Sequence, residues 1–142
     1  MDKFDKSLPM MLHRTLDTII PHYRKVFKEH GISEQQWRIL RVLWEVHDCT
    51  SAELAKKTLL PSPSMVGIID RMTSKNLVTR QRSDEDRRIV HVSLTEKGQT
   101  LHAELMPQID AVYKQIMSRC DSDAWQTMIN TLQVIVDTDS NN

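Results

Sequence analysis

Glycine and proline are scarce in this chain, with three and five among 142 residues. Such scarcity excludes a turn-rich all-β fold and a low-complexity disordered chain. Cysteine is scarcer. Cys49 and Cys120 stand alone, fit no metal-ligand spacing and are expected to stay plain thiols in a reducing compartment. No apolar run approaches the roughly 18 residues that cross a bilayer. The opening Met1-Asp2-Lys3-Phe4-Asp5-Lys6 lacks the apolar core of a secretory leader. A cytoplasmic chain without a membrane partner is expected. A Gly-rich phosphate loop, a nucleophile elbow and a His-x-x-x-His pair are missing too. His13, His22, His30, His47, His91 and His102 are scattered. No catalytic residue, metal or cofactor is therefore expected, and the chain does not read as an enzyme.

Net charge is also absent, since 19 Lys and Arg balance 19 Asp and Glu. The distribution is uneven. Residues 51–100 hold nine basic residues against six acidic, and residues 101–142 hold two against six. A locally basic stripe can grip phosphates on a neutral protein, because the field near a surface follows local charge.

What is present is helical periodicity. Leu8, Met11, Leu12, Leu16, Ile19, Ile20, Tyr23, Val26 and Phe27 recur in steps of three and four. They predict an amphipathic helix over 8–29, kinked or broken at Pro21 and ended at Gly31. Ser33-Glu34-Gln35-Gln36 and Thr50-Ser51-Ala52-Glu53 are capping boxes that open a second and a short third helix. Ser62-Pro63 predicts a fourth helix, with Ser62 as its N-cap, fading at Ser74-Lys75-Asn76. The period then changes. Residues 77–82 and 89–94 are β-branched and alternate, with the polar turn Ser83-Asp84-Glu85-Asp86-Arg87-Arg88 between them. Thr95 caps a long helix to about Arg119, interrupted at Pro107. Asp121 or Ser122 caps a last helix to Val136, with a frayed tail from Asp137.

This order predicts a mainly α fold. Residues 51–59 and 62–75 form a helix-turn-helix, and the charged hairpin after it is a two-stranded wing. A helix fits the major groove of duplex DNA and a hairpin tip reaches an adjacent minor groove. Ser62 and Ser64, with the free amides of the helix N-terminus, suit phosphates or base edges. Ser51, at the head of the preceding helix, joins them. Pro63 offers an apolar ring to a thymine methyl, and Gly67 lets the helix sit close to the bases. Arg71 and Lys75 follow one and two turns on. Arg87 and Arg88 are candidate minor-groove probes, with Asp86 bracing one of them. The plainer reading makes these charges an ordinary solvated surface.

Asp86-Arg87-Arg88 followed by Leu94-Thr95-Glu96-Lys97-Gly98 resembles the wing signature and helix start of MarR-type regulators. Ser62-Pro63-Ser64 through Arg71-Met72 to Leu77-Val78 is similar to their recognition helix and its exit. Ser33-Glu34-Gln35-Gln36-Trp37-Arg38-Ile39-Leu40 resembles the branch that controls catabolism of homoprotocatechuate and related aromatic acids. The resemblance covers roughly residues 8–136. It implies a homodimer joined through helices over 8–30 and 95–137, with a DNA-binding lobe over 33–94. It implies a pseudo-palindromic operator and a repressor released by a small aromatic carboxylate. Arg88 matches the wing arginine and Asp86 its ion-pair partner. The family's peroxide sensors carry a cysteine in the first helix, and this chain has none there.

A carboxylated aromatic effector needs a cationic anchor beside apolar walls. Arg14 and Arg38 are the candidate anchors. Trp37, Leu16, Ile20, Met65 and Met72 are candidate walls, with His13 as a hydrogen-bond partner. The competing role for both arginines is a salt bridge, to Asp17 or to acidic residues of the C-terminal helices. The competing class for the whole chain is a winged-helix protein-interaction module that binds no operator.

Overall fold

The computed structural model describes residues 4–140. After a short 3-10 turn the elements run α1 (Leu8–Glu29), α2 (Glu34–Val46), β1 (Asp48–Thr50), α3 (Ser51–Thr58), α4 (Ser62–Ser74), β2 (Val78–Arg82), β3 (Val90–Leu94), α5 (Glu96–Met117) and α6 (Ser122–Ser140).

Local chemistry sets most of these boundaries. At α2, Ser33 Oγ accepts from the Gln36 amide at 3.1 Å, and Gln36 Oε1 accepts from the Ser33 amide at 3.2 Å. At α3, Thr50 Oγ1 and the Glu53 carboxylate do the same at 3.2 and 2.9 Å. Each pair satisfies two amides that a helix start leaves open. Thr95 caps α5 through the Gly98 amide at 3.0 Å. Asp121 Oδ1 caps α6 through the Asp123 and Ala124 amides.

Two helices end alike. Gly31, at φ +67°, lets the Ile32 amide reach back to the Phe27 carbonyl. Asn76, at φ +57°, lets Leu77 reach Met72 in the same way. Both are left-handed C-terminal caps, a conformation that glycine and asparagine tolerate best.

Several sequence expectations change. The sheet has three strands in the order β1-β3-β2, all antiparallel, rather than the wing hairpin alone. The extra strand, β1, pairs Cys49 with Val92 and is three residues long, too short for alternation to reveal. Pro107 does not interrupt α5, and α1 runs on through Pro21 without the break that is one of the two expectations there. Both prolines are exposed, as are Asp17 and Ala103 four residues earlier, so water can take each freed carbonyl. Ser62 is the first residue of α4 and makes no capping bond; Pro61 occupies the N-cap position. The expected fray at Asp137 is helical to Ser140, supported by Gln133 Nε2 on Asp137 Oδ1 at 2.8 Å. Asn141 and Asn142 lie outside the described residues.

The core sits between α2, α3, α4, the sheet and α5. Ile39, Leu40, Leu43, Leu54, Met72, Val78, Val92 and Leu105 are fully buried there. Gly98 seals α5 onto this core. A Cβ at that position would lie 2.1 Å from the Leu77 carbonyl oxygen. α6 differs from every other long helix in having no buried residue, and the first half of α1 is similarly bare.

Candidate nucleic-acid interface and ligand cavity

The apolar residues of α4 fall on one face: Met65, Ile68, Ile69 and Met72 are buried. The same spacing turns Ser62, Val66, Asp70 and Arg71 outward. Ser62, Pro63 and Ser64 are exposed at the helix start, where backbone amides and the dipole favour an anion. Arg71 Nη1 lies 3.4 Å from the point a Cβ on Gly67 would occupy, an ordinary contact distance, so the guanidinium lies over the glycine. Among the described residues Arg71 has no ion-pair partner. Ser51, Ser62, Val66, Arg80 and Arg82 border one cleft between α3, α4 and the wing. An ion pair from Arg80 on β2 to Asp70 ties the wing to this helix.

The wing tip is a built turn. The Asp86 amide donates to Ser83 Oγ, and the Ile89 amide to the Asp86 carbonyl. Asp86 Oδ1 accepts from the Arg88 amide and Nε, both at 3.0 Å, and Oδ2 accepts from Nη2 at 2.9 Å. The Arg88 guanidinium holds the Asp86 carboxyl below its ordinary range, and the carboxylate raises Arg88 in turn. Arg88 is nonetheless 90% exposed. Its bidentate pairing orders a long side chain at the tip, which lowers the entropy lost on contact. Arg82 Nη1 donates to the Arg87 carbonyl at 2.8 Å and fixes that backbone too. The Arg87 side chain has no partner among the described residues.

Lys75 borders one groove with Pro63, Ser64, Gly67 and Arg71, but its head group turns inward. Its ammonium donates to the Gly31 carbonyl and, at 3.1 Å, to Gln36 Oε1.

The effector candidates separate into groups. His13, Arg14 and Leu16 lie on the exposed half of α1, and Arg14 pairs with Asp5 at 2.7 Å rather than with Asp17. Met65 and Met72 are buried under α4, and Met65 borders the cleft toward the wing instead of meeting Trp37. Trp37 and Arg38 do share a cavity with Ile20, and its volume is about 470 Å³. Arg38 is engaged at its rim, donating to Glu34 Oε1 at 3.1 Å and to the Thr58 carbonyl at 3.3 Å. The walls are aromatic. Phe27 stacks on Trp37 at 5.1 Å, and Tyr23 stacks on Phe27 at 6.4 Å. Burial, and then the neighbouring Tyr113 phenol, pushes the Tyr23 phenol up.

Sequence reasoning missed five polar residues that line this cavity: Tyr23, Arg41, Tyr113 and the carboxylates Glu34 and Asp110. Arg41 lies four residues after Trp37, with Cζ 5.8 Å from that ring centroid and Nη1 3.7 Å from Met106 Sδ. The i,i+4 spacing from Trp37 was the available signal. Tyr113 comes from α5, and its hydroxyl accepts from Trp125 Nε1 at 2.9 Å, leaving its own proton free to donate.

The cysteines stay apart from both regions. Cys49 is buried, donates to Glu53 Oε2 and has its thiol pushed up to about 11 by burial and the nearby carboxylate. Cys120 is exposed and unpaired. Among the described residues no cluster of His, Cys, Asp and Glu could hold a metal ion.

A model of the MarR family matches residues 30–89, from the end of α1 to the wing tip. The homoprotocatechuate degradative operon repressor of Escherichia coli is 32% identical over 130 residues, covering 92% of this chain and 88% of that one. Transcriptional regulator PA4135 superposes with a TM-score of 0.85 at 28% identity, over 92% of this chain and 96% of that one. NadR in complex with 4-hydroxyphenylacetate gives 0.77 at 25% identity, over 95% and 96%. With the exposed start of α4, the braced wing and these likenesses together, the chain belongs to the MarR family of transcriptional regulators.

Proposed function

We propose that the chain is a DNA-binding transcriptional repressor, held on a pseudo-palindromic operator as a homodimer and released by a small aromatic carboxylate. The observation that carries the DNA reading is the outward face of α4, with free hydroxyls at its start and Arg71 over Gly67, beside the ordered wing arginine. Residues 33–94 form the DNA-binding lobe, while 8–30 and 95–137 supply dimer helices. Ser51, Ser62, Pro63, Ser64, Gly67 and Arg71 meet the major groove and its flanking phosphates, and Arg87 and Arg88 meet the minor groove. The site of action is cytoplasmic. No helix among the described residues is long and apolar enough to cross a membrane.

The effector reading rests on the aromatic cavity and its cation. Trp37, Phe27 and Tyr23 suit a planar ring, Arg41 suits a carboxylate, and the Tyr113 hydroxyl suits a phenol oxygen. The 4-hydroxyphenylacetate of the NadR complex has these groups. In the operator-bound state the two recognition helices lie one DNA turn apart, about 34 Å. The ligand releases DNA only by binding better to a dimer with another spacing.

Two measurements test the two halves. Arg88→Ala is expected to weaken binding to a duplex selected by the wild-type protein about tenfold, near 1.4 kcal/mol, with the dimer intact. Unchanged affinity at matched salt removes the wing from the interface. A salt slope near zero for the wild type on any duplex favours the protein-interaction module. Saturation with 4-hydroxyphenylacetate to a hundred times its dissociation constant should stabilise the wild type by about 2.7 kcal/mol. Arg41→Leu is expected to lose that shift while keeping operator affinity. An identical thermal shift in the variant shows that Arg41 is not the anchor.

A further inference from the structure

The ends of α1 and α4 converge beside the start of α5, around a cavity of about 880 Å³ whose lining includes His30, Gly31, Lys75, Asn76 and Lys97. Helix C-termini carry partial negative charge and unpaired carbonyls. Here each end is met by an ammonium from another helix terminus. Lys75 Nζ donates to the Gly31 carbonyl at the end of α1, and Lys97 Nζ donates to the Lys75 carbonyl at 3.0 Å. Lys75 Nζ also donates to Gln36 Oε1 at 3.1 Å. Gln36 is 2% exposed, and the same oxygen closes the capping box of α2. A single ammonium thus joins the C-terminal cap of α1, the first turn of α2 and the end of the recognition helix.

The geometry points to Lys75 as a positioning residue that fixes the tilt of the recognition helix against the dimer helices and so sets the half-site spacing the dimer accepts. This rests on the operator reading above. It removes Lys75 from the set of direct DNA contacts that its place in the sequence suggests. The thirteen residues of α4 span about 20 Å, so Lys75 sits at the far end of a lever whose N-terminus enters the groove. A tilt of about 6° at that end moves the N-terminus by about 2 Å. A one-base-pair change in half-site spacing shifts the target by about 3.4 Å and rotates it.

The test uses the full-length wild-type protein, a duplex it selects from a random pool, and two companions with the half-sites moved by one base pair either way. The wild type is expected to bind each companion at least tenfold more weakly. Lys75→Met keeps the aliphatic stem and loses the ammonium. It should narrow the discrimination to about threefold, with an unchanged salt slope. Lys97→Met should narrow it as well, and answers the question if Lys75→Met does not fold. Wild-type discrimination in both variants overturns the proposal. So does uniformly weaker binding of Lys75→Met to all three duplexes with a salt slope smaller by about 0.9, the signature of a lost phosphate contact. A wild type that binds duplex with no spacing preference overturns the half-site reading and the junction with it.

Discussion

Gly98→Ala should lower the melting temperature by about 10 °C, for a cost of about 3 kcal/mol at the upper end of overpacking. The expected size follows from what the methyl group meets. It would stand 2.1 Å from the Leu77 carbonyl oxygen and 3.1 Å from both the Leu77 carbonyl carbon and Leu94 Cδ2. A flexible side chain could swing away, but a backbone carbonyl cannot. That same oxygen accepts from the Thr95 amide at 3.1 Å. The Gly98 carbonyl accepts from Trp44 Nε1 at 3.0 Å, inside the core. Moving the start of α5 outward therefore breaks the Thr95 bond, the Trp44 bond and the packing of Leu101 together. Thermal or urea unfolding measures the loss. A shift under about 2 °C would show that α5 slides without resistance. The close approach also gives a physical reason for the glycine in the Leu94-Thr95-x-x-Gly98 helix start.

Ile129→Asp is expected to separate the dimer and reduce operator affinity at least a hundredfold. Met128, Ile129, Leu132, Ile135 and Val136 form one stripe on α6, yet Ile129 and Ile135 are 41% and 45% exposed. Leu8, Met11, Leu12 and Leu16 form a second bare stripe on α1. Contiguous apolar surface of this kind marks an interface, and a charge buried at its centre is costly. Each half-site then binds alone, without the gain from two linked contacts. Sedimentation equilibrium and operator titration measure both effects. A variant that stays dimeric at micromolar concentration places the interface elsewhere.

The parts of this fold that were legible in the sequence are those set by neighbours along the chain. Ser33 with Gln36, Thr50 with Glu53, and the alternation over 89–94 each encode a local structure with its own hydrogen bonds. Gly31 marks a left-handed cap for the same reason. What was not legible depends on distant partners. β1 exists because Cys49 and Thr50 meet Val92 and His91, more than forty residues away. Pro21 and Pro107 are tolerated because their helix faces are exposed, which periodicity alone does not weigh.

The site divides in the same way. The exposed start of α4 and the Asp86–Arg88 pair were readable because their atoms lie within a few residues. Arg41 entered the cavity only once α1 and α5 had supplied Tyr23, Phe27, Met106 and Tyr113 around it. Lys75 looked like one more basic residue on a recognition helix. Its partners, Gly31 and Gln36, are 44 and 39 residues earlier. Long flexible cations are the residues whose roles sequence position predicts least, since the stem reaches whatever acceptor folding brings near.

A helix without a buried residue of its own has a consequence for gene dosage. In the homodimer proposed above, α6 finds its core against a second copy, and assembly then depends on the square of the free chain concentration. Dilution at cell division then lowers the competent form more steeply than the number of chains. Newly made chains do not repress in proportion to their number until the pool is dense enough to pair. On that proposal the bare stripe on α6 makes the regulator a counter of its own abundance, independently of any ligand.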